Sequence, residues 1–415
     1  MMTKKEKKRV PELRFAGFEG EWEEKKLGKL TSKVGSGSTP RGGVDVYTTT
    51  GIPFIRSQNV LDNQLLLDET HIPESVHERM AGSTVLPNDV LLNITGGSIG
   101  RSCVVPSNGF SEGNVNQHVS IIRLKKDSPH FLQALLSSHR GQNLIYQGMT
   151  GSGREGLNFQ SIRGFKINIP KPEEQQKIAT FLTSIDTRLQ QLEKKKTLLE
   201  QYKKGVMQKI FSQEIRFRDQ DGKEFGEWEE KTIKEIFKSL KGKGIPKRDV
   251  DENGEDKCIL YGELYTQYSE VVFDVKSKTN STEGLLSKKG DLLMPSSTTT
   301  TGIDLANITA LNIDNVRLGG DIIILRSKIK ISNIFYAYYL SNYKKHEIAS
   351  RAQGITIVHI YFNSIKDLII DVPKLEEQTK IAQFLSALDR KIAVMDGQIE
   401  KTKEWKKGLL QRMFV

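Results

Sequence analysis

The chain has 415 residues, too many for one small domain, and 37% are hydrophobic, which supplies material for more than one core. Its two cysteines, Cys103 and Cys258, are too few for a disulfide framework or a cysteine-based zinc site and indicate a reducing compartment. The formal charge of +11 implies a polyanionic partner such as nucleic acid, the plainer alternative being a solubilising excess.

The first ten residues carry five Lys/Arg and one Glu. This basic arm has the flank of a signal peptide but no apolar stretch behind it. The longest apolar runs, such as Ile322 to Leu325, are strand-sized, far short of a membrane span. A soluble, cytoplasmic protein with no membrane partner is expected. Up to residue 169 the chain reads as a mixed block in which strands prevail. Short strands are predicted at Asp89 to Thr95, Cys103 to Pro106, His118 to Leu124 and Phe165 to Pro170, between Gly/Pro/Asn punctuation, with a helix near Phe131 to Tyr146. Pro170 and Pro172 end the last strand. Pro172 suits a first helical turn, where Glu173 and Glu174 face the positive end of the dipole. Apolar residues then recur at Ile178, Leu182, Ile185, Leu189 and Leu192, a heptad seam that Lys196 and Lys203 interrupt. Residues 212–372 form a second block, with a helix predicted near Ile334 to Ile348. A second seam follows at Ile381, Leu385, Leu388, Ile392, Met395 and Ile399, interrupted by Thr402 and Lys406.

The two helical segments are copies of each other. Residues 170–211 align without gaps on residues 373–414, with 16 identities in 42 positions, among them Glu174/Glu377, Gln175/Gln378 and Asp186/Asp389. The repetition extends into the blocks. Gly-Glu-Trp-Glu-Glu-Lys occurs at Gly20 and Gly226, Leu13-Arg-Phe answers Ile215-Arg-Phe, and Arg123 faces Arg326 at a similar offset. The period is far too long for a solenoid, so two domains are expected and no array. Each seam needs a partner, and the natural one is the other copy, packed antiparallel. The charge follows the helices: residues 170–211 carry +4 and 373–415 carry +3, while the blocks 11–169 and 212–372 carry +1 and −1.

Catalytic signatures do not assemble. Gly151, Gly153 and Gly156 fit G-x-G-x-x-G, but a strand is predicted to follow where a dinucleotide site needs a helix. Asp249, Asp251, Asn253 and Gly254 begin like a calcium loop, yet its twelfth position is Leu260, so an exposed turn is the better reading. His71 and His77 lie close but lack a partner at metal-ligand spacing, which makes Ser75-Val-His-Glu a surface helix turn. Asp89 and Asp291 precede apolar strands and read as turn or capping residues. No metal site and no active site are expected.

What recurs on the loops is a set of side chains able to read bases or grip phosphates. In the first block these are Arg41, Arg56, Gln58, Asn59, Arg101, Asn116, Gln117, Arg154 and Asn158. In the second they are Lys241, Lys243, Lys247, Arg248, Tyr261, Tyr265, Gln267, Thr298, Thr299 and Arg351. Arg suits guanine and Asn or Gln suits adenine by bidentate geometry, while Lys and hydroxyls suit phosphates.

With those residues on the page, the whole chain resembles the DNA specificity subunit of type I restriction–modification enzymes. The resemblance rests on the repeated helix start P-K-x-E-E-Q-x-K-I-A-x-F-L and on LRFAGFEGEWEEKKLG from Leu13. GIPFIRSQNV from Gly51, RSCVVP from Arg101 and NVNQHVSIIRL from Asn114 add to it. It implies an α+β fold of two β-rich target-recognition domains, residues 1–169 and 212–372. Two long antiparallel coiled-coil helices, residues 170–211 and 373–415, would join them in a pseudo-two-fold tandem duplication. It also implies that each domain reads one half of an interrupted DNA site and that the helices set the gap. The helices would dock modification subunits, two by expectation, to which restriction and translocase subunits add. S-adenosylmethionine, ATP and magnesium would then belong to those partners, and this chain would supply sequence choice without catalysis. The competing reading is a stand-alone two-domain DNA-binding regulator.

Overall fold

The structure, a computed structural model, describes residues 9–150 and 156–415. Most of the basic arm, and Gly151, Gly153 and Arg154, lie outside the described residues. The chain forms two compact units, residues 1–195 with 395–415, and residues 196–394. Each unit holds one block, the beginning of one long helix and the end of the other.

In the first unit an antiparallel sheet runs in the order Thr31–Ser36, Val119–Leu124, Val90–Asn93, Ser102–Val104. Its central strands, Val119–Leu124 and Val90–Asn93, are near-continuous apolar runs because both faces are covered. Val90, Leu92 and Ile122 point into a core with Phe131, Leu135, Ile178 and Leu182. The alternate residues Leu91, Val119 and Ile121 pack on Ile55 and Val115 of a second sheet. Glu23–Lys26 pairs antiparallel with Lys166–Ile169, which closes the block just before the first long helix, Pro172–Phe211. The second unit repeats this plan. Its main sheet runs Phe237–Lys241, Ile322–Ser327, Asp291–Pro295, Thr309–Leu311, Val271–Val272. Glu229–Thr232 pairs with Ile369–Val372 ahead of the second long helix, Leu375–Arg412.

Three expectations need correction. The helix placed at Phe131 to Tyr146 is two, Pro129–Ser137 and His139–Gly148. Ser138 breaks it with extended backbone, its hydroxyl donating to Leu135 O at 2.6 Å and accepting from Gly141 N–H at 3.2 Å. The predicted helix Ile334 to Ile348 likewise divides into Asn333–Tyr338, a π turn at Tyr339–Tyr343 and Lys345–Ala349. His77 is inside. Asn114 Nδ2 donates to Met80 O and Ser83 Oγ, so Asn114 Oδ1 must accept, at 2.6 Å, from His77 Nδ1–H.

The repeated Glu-Glu-Gln is a latch. Glu174 is 2% exposed and accepts from Arg14 Nε at 2.7 Å, Arg14 Nη2 at 2.8 Å and Trp22 Nε1 at 3.3 Å. Glu377 does the same with Arg216 (2.8 Å to each oxygen) and Trp228 Nε1 (2.9 Å). Gln175 takes Ser128 N–H at 3.0 Å and gives its amide to Pro170 O at 2.9 Å. Gln378 takes Ser332 N–H and gives to Pro373 O, both at 2.8 Å. One helical turn thus gathers the segment before the block, the loop inside it and the strand that ends it.

Ile178, Leu182, Ile185 and Leu192 are buried and Leu189 half-buried; Ile381, Leu385 and Leu388 are buried, with Ile392 and Met395 half-buried. In the first unit Phe181 packs edge-on against Trp405, and Glu193 pairs with Lys403 at 3.1 Å. A later residue of one helix meets an earlier residue of the other, so they run antiparallel. The second unit repeats the sense, with Lys203 on Asp389 at 2.6 Å and Phe211 in one core with Ile381 and Leu385. The helix starts also dock on their own blocks, so seam and block share one core.

Removing the Glu377 carboxylate strands a guanidinium and an indole N–H in the interior. Glu377→Ala should therefore destabilise the second unit by about 3–5 kcal/mol, and Glu174→Ala the first. Glu376→Ala, which removes an exposed neighbour, should stay within about 0.5 kcal/mol. Urea titration followed by tryptophan emission measures all three; similar losses for Glu376 and Glu377 variants would contradict the latch.

Candidate nucleic-acid interface

In each unit the sheet strands run into loops that meet at one end. In the first, Gly37 N–H donates to Asn116 O at 3.2 Å and Asn116 N–H to Ile55 O at 3.0 Å; Ile94 N–H reaches His118 O at 3.0 Å, and Leu157 N–H reaches Ile94 O at 2.9 Å. In the second, Gly320 N–H donates to Gly244 O at 2.8 Å, Ser296 N–H to Asp321 O at 2.8 Å and Ile360 N–H to Ser296 O at 3.0 Å. Backbones touch here, which explains two glycines. A Cβ at Gly37 would lie 1.6 Å from Val115 O, and one at Gly242 would lie 1.9 Å from Gly319 O.

The predicted readers divide into the available and the committed. Arg41, Gln117, Lys241, Lys243, Lys247, Arg248, Gln267, Thr299 and Arg351 are exposed, and Tyr261 and Tyr265 half-exposed, their rings 6.5 Å apart. Arg56, Gln58 and Asn59 instead converge on Asp68 Oδ2, at 2.7, 3.1 and 3.0 Å. Asn59 is also 4% exposed and gives its amide to Leu66 O at 2.9 Å, so it presents no edge to a base. Asn116 is 9% exposed and caps the turn, taking His118 N–H at 3.0 Å. Asn158 caps a short helix by accepting from Ser161 N–H at 2.7 Å. Thr298 is buried against Thr300, their hydroxyls 2.7 Å apart. Arg154 lies outside the described residues. Arg101 is exposed but faces a cavity of about 730 Å³ that it lines with His139, Asp186, Lys403, Lys406 and Lys407.

The sequence reading missed a polar chain at the first loop end. Thr39 Oγ1 donates to Gln117 Oε1 at 3.0 Å, which turns the Gln117 amide toward His118 Nε2 at 3.2 Å. His118 Nδ1–H then donates to Thr95 Oγ1 at 2.5 Å. Only the adjacency of Gln117 and His118 was visible in sequence; Thr39 and Thr95 come from distant loops. Behind it a cavity of about 940 Å³ is lined by Thr95, Gly96, Gly97, His118 and Tyr146.

Burial pushes the Cys103 thiol up to about 12 and the Cys258 thiol up to about 11, which keeps both protonated at neutral pH. Asp251 forms an Asx turn, accepting from Asn253 N–H at 2.9 Å. Asp89 and Asp291 do cap their turns, accepting from Leu86 and Lys288 N–H at 2.8 Å. They also hold Arg123 and Arg326 in paired hydrogen bonds. Among the described residues no cluster of His, Cys, Asp and Glu could hold a metal, and no helix is long and apolar enough to cross a membrane.

Two loop ends carrying amides, hydroxyls and cations, set on a duplicated helical frame, define a two-headed recognition protein. The chain belongs to the family of the type I restriction modification DNA specificity domain, whose pattern matches residues 19–201 and 226–404. It is a DNA specificity subunit of a type I restriction–modification system. The MjaIX specificity subunit of Methanocaldococcus jannaschii is 21% identical over 95% of this chain and 92% of its own. The S subunit of the type I system of M. genitalium shares the fold with a TM-score of 0.62 at 16% identity, over 98% of this chain and 99% of that one. A chain from a type I system described for its complex assembly and conformational transition aligns with a TM-score of 0.54 at 15% identity, over 94% and 96%.

The Asp68 cluster gives a pH signature. Burial would push its carboxyl up, but hydrogen bonds from Asn59, Thr70 and Arg56 outweigh that and hold it well below the usual carboxylate range. A depressed folded pKa contributes stability above the unfolded value, near 3.8, and the contribution is lost as pH falls through the folded value. Asp68→Asn should cost about 1 kcal/mol at neutral pH, since the site is partly solvated. Denaturation curves from about pH 7 to about pH 3 should show a gap to the parent that is constant down to about pH 4 and only begins to narrow below it.

Proposed function

We propose that the two blocks read the two unlike halves of an interrupted, asymmetric DNA site, and that the long helices fix the gap and carry the modification subunits. The observation behind this reading is that the latch repeats residue for residue and the seam position for position while the loop ends do not. The frame is shared and the readers differ: Gln117–His118 stands at one loop end where Gly320–Asp321 stands at the other. S-adenosylmethionine, and the ATP and magnesium used in translocation and cleavage, fall to partner subunits in the cytoplasm. The exposed candidates Arg41, Gln117, Lys241, Lys243, Thr299 and Arg351 are the contacts we favour. The near-neutral blocks fit weak, salt-sensitive binding by this chain alone that strengthens when modification subunits clasp the duplex.

Exchanging residues 212–372 for another block of the family should change one half of the methylated site and leave the other. Sequencing methylated positions in cells that carry the chain with its partners reads this directly; a change in both halves would sink the division of labour. The gap can be tested separately. Four residues inserted after Lys195 and four after Val394 leave the contacts inside each unit intact and add about 6 Å of helix. The gap should lengthen by about two base pairs, at about 3.4 Å each. An unchanged gap in the methylated sites would show that the helices do not set it.

A further inference from the structure

Ile355 is 98% exposed, and its neighbours Ile357 and Tyr361 are 50% and 57% exposed. It stands at the tip of a tight loop closed by two backbone hydrogen bonds, Gln353 N–H to His359 O at 2.8 Å and His359 N–H to Gln353 O at 2.7 Å. The turn needs glycine: Gly354 has φ +119°, and a Cβ there would lie 2.1 Å from Ile357 O. The loop is anchored, since Val358–His359 pairs with Ser297–Thr298, and the His359 ring stacks on Tyr361 with planes 14° apart. A β-branched side chain with a stiff χ1 is thus presented outward on a fixed base.

The surroundings of the tip are those of a nucleic-acid contact. The row of backbone hydrogen bonds from Gly244 through Gly320, Asp321 and Ser296 to Ile360 joins this loop to the Lys241–Lys243 segment. Thr299, Thr356 and Arg351 stand exposed around it, and all suit phosphate oxygens. A protein partner would want a broad apolar face of about 800 Å², whereas here a narrow point, with Ile357 and Tyr361 beside it, stands among the hydroxyls of Thr299 and Thr356 and the cation of Arg351. Apolar wedges on such points enter base steps and unstack them.

We propose that Ile355 is a DNA wedge that unstacks one base step in the half-site read by the second block; the proposal rests on the DNA-reading function above. The sequence at the matching repeat offset, Gly151-Ser-Gly-Arg-Glu155, contains no apolar side chain, so the wedge is a property of the second block, and the deformable step contributes specificity without a base-edge contact.

The test uses the chain assembled with its modification subunits and a duplex carrying the methylated target, with 2-aminopurine substituted at successive positions of both halves. Binding should raise emission several-fold at one step, in the half-site that changes when residues 212–372 are exchanged. Ile355→Ala should abolish that rise and weaken binding by about tenfold, with the salt dependence unchanged because no phosphate contact is lost. Ile355→Leu should keep both. Specific binding without unstacking in that half-site, or unstacking that survives Ile355→Ala, overturns the wedge and leaves the reading function standing. Loss of subunit assembly in Ile355→Ala, with DNA emission unchanged, overturns it in favour of a protein contact. A parent complex that does not prefer the target over a scrambled duplex overturns the reading function itself.

Discussion

Glu174 and Glu377 are carboxylates taken out of water, and a buried charge survives only if its partners are complete. Each is completed by a guanidinium and an indole N–H from a segment some 150–160 residues earlier, and each sits in the first turn of a long helix, where the dipole favours negative charge. The arginine is aimed in turn: Arg14 Nη1 donates to Gly20 O at 2.6 Å, and Arg216 Nη2 to Gly226 O at 2.8 Å. Hydrogen bonding to the buried carboxylate raises both guanidinium pKa values, so the arginines stay charged at any working pH. The latch ties the start of a block, its middle and its end to one helical turn. The strand Val119–Leu124 leaves the loop end and runs directly toward the latch, where Ser128 meets Gln175. One end of the block is pinned by charge, and the other is left to vary.

The lysines that interrupt the seams have a related role. Lys203 pairs with Asp389 and Lys406 with Asp186, each lysine on one helix meeting the repeated aspartate of the other. The aspartates also reach the blocks, through Tyr338 at 2.5 Å on Asp389 and through Asn63 on Asp186. Burial pushes the Asp186 carboxyl up while Lys406 pulls it down. Such pairs are poor sources of net stability, but they discriminate. An apolar heptad seam packs nearly as well after a slip of seven residues. A slip would leave a lysine among leucines and an aspartate without its cation, so the polar pairs select one register.

Much of this was legible in the sequence because it is periodic or repeated. The 4-3 spacing marks the buried faces of both helices, and the offset of 203 pairs Glu174 with Glu377 and Asp186 with Asp389. The meaning of those repeats was not legible. Glu174 read as a helix-dipole residue, and its clamp by Arg14 and Trp22 depends on contacts across more than 150 positions. Among the loop candidates, composition could not separate Arg41, which stands free at the surface, from Arg56, which is consumed by Asp68. Side-chain type states what a residue can bind; only the fold states whether a neighbour already has it. The same limit hid His118, whose partners Thr39 and Thr95 arrive from separate loops, and Ile355, whose near-complete exposure composition does not reveal.

A frame held by charge at one end tolerates change at the other, and the glycines mark where tolerance stops. Gly37 and Gly242 sit where the edge strand meets the backbone of the turn that feeds the central strand, too close for any Cβ. Beyond them the loops carry no part of the latch. Substitutions there alter which amides, hydroxyls and cations face outward without disturbing the cores that bury Leu92 or Met294. Surface changes of that kind usually move stability by less than about 0.5 kcal/mol. A duplicated chain can therefore let its two loop ends diverge independently, so long as the helix starts keep the Glu-Glu-Gln that both blocks close upon. That physical separation, more than any feature of the loops themselves, is what permits one scaffold to hold two unlike readers.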